Sequence, residues 1–234
     1  MKSQKLVEIL KGLKKPVFSL SDISKILGKK EDYTKLYVHR LARKRLVRVE
    51  RNKYTLKGTN PFLVATNLIF PSYLSFISAY SYYGLTNQLS KVCYVVALRQ
   101  KKSLSYMGYL IKFVKFSQQR FFGFRKELLE GKFVLVAEIE KAIVDSLYIP
   151  RYCPVSETFF VLKNAEFDLE KLLSYAKKMK SLALLQRLGF LLDFLGIKIN
   201  AGITFSNYVL LNPSLPKEGE KNKKWKIIVN EVLE

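Results

Sequence analysis

Histidine occurs once in the 234 residues, at position 39, and tryptophan once, at 225. An imidazole-based zinc centre therefore has no ligand set. Cys93 and Cys153 stand far apart and bring no metal spacing of their own. Two such cysteines give no disulfide framework either, a pattern that points to a reducing cytoplasm. A Ser-His-Asp relay would have to be built on His39, and no GxxxxGK[ST], GxGxxG or HExxH pattern occurs. Acidic residues are scarce: 19 Asp and Glu face 41 Lys and Arg, a net charge of +22. An imbalance of that size calls for a polyanionic partner, either nucleic acid or an anionic membrane surface. Bilayer-spanning runs are lacking too. The uncharged stretch 60–90 contains Pro61, Asn67, Pro71, Asn87, Gln88 and serines at 72, 75, 78 and 81, which is heavy polarity for a membrane span. The opening residues alternate charged and apolar side chains, unlike a signal peptide. The expectation is a cytoplasmic protein without membrane association, cofactor or metal, and not an enzyme.

With 49% apolar residues, the chain can bury a real core. Its charge is uneven: residues 1–60 carry 17 Lys and Arg against 5 Asp and Glu. Apolar spacing predicts a helix over 2–13, ended by Pro16, and a short helix in SLSDISKILG with Ser21 as its N-cap and Gly28 as its stop. A third helix is predicted from Glu31 to Lys44, and VRVERNKYTL alternates like a hairpin with its turn at Arg51-Asn52. Three short helices and a hairpin make a winged helix-turn-helix over 1–57. Gly58-Thr59-Asn60-Pro61 reads as a boundary, with a second domain at 61–234. That domain divides into mixed strands and helices over 61–165, then a helical pair and terminal strands over 166–234. The expected fold class is α+β, with the body strands mainly antiparallel. Helices are expected at 72–84, 138–147, 168–179 and 182–195. Strands are expected at 91–98, 108–116, 121–124, 132–137, 203–211 and 225–233.

The third helix carries the chemistry. With Thr34, Val38 and Leu41 turned inward, Lys35, Leu36, His39, Arg40 and Arg43 face outward, and Lys29, Lys30 and Tyr33 lie at its start. In a helix-turn-helix this helix enters the major groove of double-stranded DNA, where Arg and Lys can bond guanine and neighbouring cations meet phosphates. Arg51 and Lys53 at the hairpin tip suit a phosphate or minor-groove contact. The candidate DNA-binding set is thus Lys29, Lys30, Tyr33, Lys35, His39, Arg40, Arg43, Arg51 and Lys53, with no catalytic residue. Glu140 and Asp145 are the one carboxylate pair worth weighing for acid–base work, but five residues apart on a helix they share no face. Capping, or a buried hydrogen-bonded Asp, accounts for them. The 14 Tyr and 16 Phe fall mostly in apolar segments and suit a core better than base stacking.

Four blocks beyond the boundary resemble the AbiEi family, the antitoxins of AbiE-type (type IV) toxin–antitoxin and abortive-infection systems. They are NPFLVATNLIFPSYLSFISAYSYYGL, with Tyr83-Gly84-Leu85; EKAIVDSLYIPRY, from Glu140 to Tyr152; the helical pair containing Arg187 to Leu192; and LLNPSLPKEGEKNKKWKIIVN, with Asn212-Pro213, Gly219 and Trp225. Tyr83 stands where many relatives have His, so no role for an imidazole carries over. The resemblance implies a transcriptional repressor that binds promoter repeats of its own operon. It also implies a body that antagonises a nucleotidyltransferase-like toxin without a stable complex. Two competing readings stay open from the residues alone. One is a non-catalytic adaptor whose winged helix and body bind protein or RNA; the other is an enzyme of unknown type in 61–234.

Overall fold

In the computed structural model, the described residues are 3–42, 45–199, 202 and 204–233. The first lobe grows from short amphipathic pieces. α1 (Ser3–Gly12) buries Leu6, Val7 and Leu10, and β1 (Val17–Ser19) follows Pro16. α2 (Leu20–Leu27) is capped by Ser19 rather than Ser21. The Ser19 hydroxyl accepts from the Asp22 N–H at 3.0 Å, and the Asp22 carboxylate accepts from the Ser19 N–H at 2.7 Å. This reciprocal box satisfies two otherwise orphaned N–H groups, whereas a cap at Ser21 would satisfy neither. Gly28, at φ 64°, closes the helix in the left-handed region. α3 (Glu31–Ala42) buries Thr34, Val38 and Leu41. β2 (Leu46–Glu50) and β3 (Lys53–Leu56) complete an antiparallel sheet in the order β1-β3-β2.

That sheet is covered on both faces. Phe18, Leu46 and Leu56 turn to the helices and join Leu10, Ile23, Val38 and Leu41 in one core. Val17, Thr55 and Val47 pair in register across the three strands and so share the opposite face. Val17 belongs to the core of the body, and Val47 and Val49 pack on it. Polar clasps reinforce the junction: Tyr106 donates to the Thr59 carbonyl at 3.0 Å and Lys132 to that of Leu13 at 2.7 Å.

The body begins at α4 (Pro61–Asn67), with Asn60 as N-cap and Pro61 at the first helical position. β4 (Ser72–Leu74), α5 (Ile77–Tyr83), β5 (Val92–Ala97), β6 (Leu104–Tyr106), β7 (Tyr109–Lys115), β8 (Phe124–Leu129) and β9 (Lys132–Ala137) follow. Their sheet runs β6-β7-β5-β4-β9-β8 and is mixed, because β5–β7 and β4–β9 are parallel. The helix expected over 72–84 is split. Its first residues form the strand between β5 and β9, with the Ser72 hydroxyl donating to the Ile69 carbonyl at 2.7 Å. FFGF is not a strand. Gly123 has φ 69°, and a Cβ there would lie 2.7 Å from the Tyr175 ring, so the extended run starts only at Phe124.

α6 (Ile139–Tyr148), α7 (Val155–Asn164), α8 (Leu169–Lys178) and α9 (Leu182–Phe194) pack next, and α7 has no counterpart among the expected elements. The expected strands 203–211 and 225–233 contract to β10 (Val209–Leu210) and β12 (Ile227–Val229), joined by β11 (Glu220–Asn222) in the order β10-β12-β11. The chain is α+β throughout. No helix among the described residues is long and apolar enough to cross a membrane.

The four sequence blocks interlock. Asp145 of the second accepts from Ser75 of the first at 2.7 Å, and Arg187 of the third donates to the Leu147 carbonyl of the second at 3.1 Å. Gly189 of the third block lies against Trp225 of the fourth, where a Cβ would sit 2.1 Å from the indole. Gly189→Ala is therefore expected to cost about 1–3 kcal/mol or more, because buried Trp225 must move. A lowered denaturant midpoint with an unchanged slope would show it.

Candidate nucleic-acid interface

α3 packs on the helix-side core, and that core lies on the sheet face turned away from the body. The outer side of α3 therefore points away from the body and meets no other element. Lys29 and Lys30 are exposed in the turn before it. The turn is shaped by the Lys29 N–H donating to the Ser24 carbonyl at 3.2 Å, and by the Thr34 hydroxyl donating to the Lys30 carbonyl at 3.0 Å. Both cations are thereby held at the mouth of the helix, next to its free N–H groups. Such an end attracts phosphate oxygens.

Along the helix, Tyr33, Lys35, Leu36, His39 and Arg40 are exposed. The Tyr33 ring lies flat against Tyr37, with centroids 6.2 Å apart. Lys35 pairs with Asp32 at 3.2 Å, but Asp32 is almost fully exposed, so the pair is screened and leaves Lys35 available to an anion. Leu36, 64% exposed, puts an apolar side chain amid these cations. Such a side chain can meet a thymine methyl in a major groove. Arg43 lies outside the described residues.

The hairpin divides its two candidates. Arg51 is exposed at the turn, beside Asn52 at φ 59°. Lys53 is placed differently from the expectation: its ammonium donates to the Leu68 carbonyl at 2.6 Å and pairs with Glu50 at 2.7 Å. Glu50 also holds Lys101 of the body. These two cations hold the Glu50 carboxyl below the usual carboxylate range, against the upward push of burial. The reason is topological. β3 is the central strand and its sheet rests on the body, so the side chain of Lys53 is drawn into the junction instead of reaching solvent. Lys53→Met should accordingly leave duplex affinity and its salt dependence unchanged while loosening the junction. Binding isotherms at two salt concentrations, beside a thermal melt, check both halves of that expectation.

The Glu140–Asp145 pair does not converge. The Glu140 carboxylate accepts from the Asp168 N–H at the start of α8, at 3.1 Å, and pairs with Lys171 at 3.3 Å. Asp145 is buried against the Lys141 ammonium and accepts from Ser75 and from Tyr73, the latter at 3.2 Å. Lys141 is enclosed by the rings of Phe122, Phe116 and Tyr73, at 4.7, 5.0 and 5.9 Å, and by the Met179 sulfur. Burial pushes the Asp145 carboxyl up and the Lys141 ammonium down, and their mutual attraction opposes both shifts. The partner of Asp145 was legible as the lysine four residues earlier on the same helix face. No group of three or more His, Cys, Asp or Glu among the described residues could hold a metal ion. No protein-family model matches the chain, and no curated protein matches it.

Proposed function

We propose that the protein is a DNA-binding transcriptional repressor whose first lobe acts as a winged helix-turn-helix. In this reading α3 enters the major groove, with Arg40 as base reader and Lys35 and Arg43 beside it. Lys29, Lys30 and Arg51 anchor phosphates, and Lys53 does not take part. The observation that carries the reading is the outward cationic side of α3, free of the body and preceded by two lysines at its N-terminal turn. The resemblance to AbiEi antitoxins extends it to autoregulation of an operon and antagonism of a nucleotidyltransferase-like toxin by the body.

The test is a reporter driven by the promoter of the protein's own operon, beside binding to that promoter in solution. Arg40→Ala is expected to weaken promoter binding by about 1–3 kcal/mol and to relieve repression. Full repression by the Arg40→Ala protein would remove α3 from base reading.

A further inference from the structure

The excess charge of the body is not used by α3, and part of it is concentrated in one place. Two neighbouring cavities, of about 410 and 300 Å³, share Arg151 in their walls. The larger is also lined by Tyr94, Lys112 and Tyr152, and the smaller by Arg187 and Ser214. No Asp or Glu lines either cavity among the described residues. None of Lys112, Arg151 and Arg187 forms an ion pair among them.

Arg187 is the least ordinary of the three. It is only 6% exposed, and its Nε donates to the carbonyls of Leu210 and Leu211 at 3.0 and 3.1 Å. One terminal nitrogen donates to the Leu147 carbonyl at 3.1 Å, and the other has no acceptor among the described residues. Burial lowers its pKa to about 10, so it stays a cation at neutral pH. A guanidinium held by neutral carbonyls at the wall of an open cavity keeps both its charge and part of its fork for an incoming anion.

The other cavity supplies flat faces. Tyr94 and Tyr152 lie 5.1 Å apart, and Tyr152 is braced edge-on by Phe76 at 5.2 Å. Lys112 stands 5.8 Å from the Tyr94 ring and Arg151 stands 4.7 Å from that of Tyr152. Alternation of cations with fixed aromatic rings suits a strand whose bases are unstacked, because a duplex keeps its base faces inside.

We propose that this groove binds single-stranded nucleic acid, with phosphates on Arg187 and Arg151 and a base on the Tyr94–Tyr152 pair. It is a second surface, independent of α3. The test uses the full-length protein with a fluorescein-labelled mixed-sequence 12-mer, as single-stranded DNA, single-stranded RNA and blunt DNA duplex. Lys112→Ala/Arg151→Ala together is expected to weaken single-strand binding at least about tenfold while leaving duplex binding within about twofold. The slope of log affinity against log salt on single strands should flatten by roughly 1.4, the effect of two lost phosphate contacts. Arg40→Ala should do the reverse, sparing single strands. A folded double variant with unchanged single-strand affinity, or one that loses duplex and single strand equally, overturns the groove. An unchanged duplex affinity in Arg40→Ala bears on α3 alone.

Discussion

Asp145→Ala is expected to destabilise the protein by about 3–5 kcal/mol, because it strands the Lys141 ammonium in an interior with no other anion. What remains around that cation is the sulfur of Met179 and three aromatic rings. Lys141→Met should cost somewhat less, since the Asp145 carboxylate keeps the hydroxyls of Ser75 and Tyr73. The informative variant is the pair Lys141→Met/Asp145→Leu, which removes both charges and keeps the volume filled. Its stability should return toward that of the wild type, because the desolvation cost of two buried ions disappears with their attraction. Denaturant unfolding of the four proteins closes a double-mutant cycle, and a coupling of several kcal/mol is the expected result. A double variant as unstable as Asp145→Ala would mean that the hydroxyl network, not the charges, holds α6 to β4.

This pair shows how far the chain could be read before folding. Spacing of four on a helix makes Lys141 and Asp145 neighbours, so their contact was available from the residues. Their burial was not, because it depends on Phe116, Phe122 and Met179 closing over them from distant segments. The third helix was legible for the opposite reason: Thr34, Val38 and Leu41 repeat at helical spacing, and nothing outside the lobe modifies its outer side. β1 was illegible because three residues between Pro16 and a capping serine carry no period. Its partner is β3, which lies nearly forty residues downstream. The strand at 72–74 was read as helix because Tyr73 and Leu74 are apolar in either state, and β5 and β9 on its two sides decide between them. Lys53 looked exposed from its place beside a turn, and only the stacking of the lobe's sheet on the body reverses that. Arg187 gave no signal, since its carbonyl partners lie 23–40 residues away in sequence.

At about 0.15 M salt the protein is expected to prefer the promoter of its own operon over a random duplex by at least roughly a thousandfold. Two kinds of contact should separate in that measurement. Lys29, Lys30 and Arg51 stand exposed without a carboxylate partner among the described residues, so each can displace a condensed counterion from the duplex. Three such contacts predict a slope of log affinity against log salt of roughly −3, steeper if Lys35 or Arg43 joins them. Lys30→Ala should flatten that slope by about one unit and weaken promoter and random duplex alike. Arg40→Ala should instead lower the preference itself, by the roughly tenfold to hundredfold that one good bidentate base contact provides. The body also carries excess positive charge, so salt dependence alone would appear in an adaptor that reads no sequence. The ratio is what decides. A folded protein whose two affinities differ by less than about tenfold would leave α3 as a basic surface without readout, and with it would go the repressor.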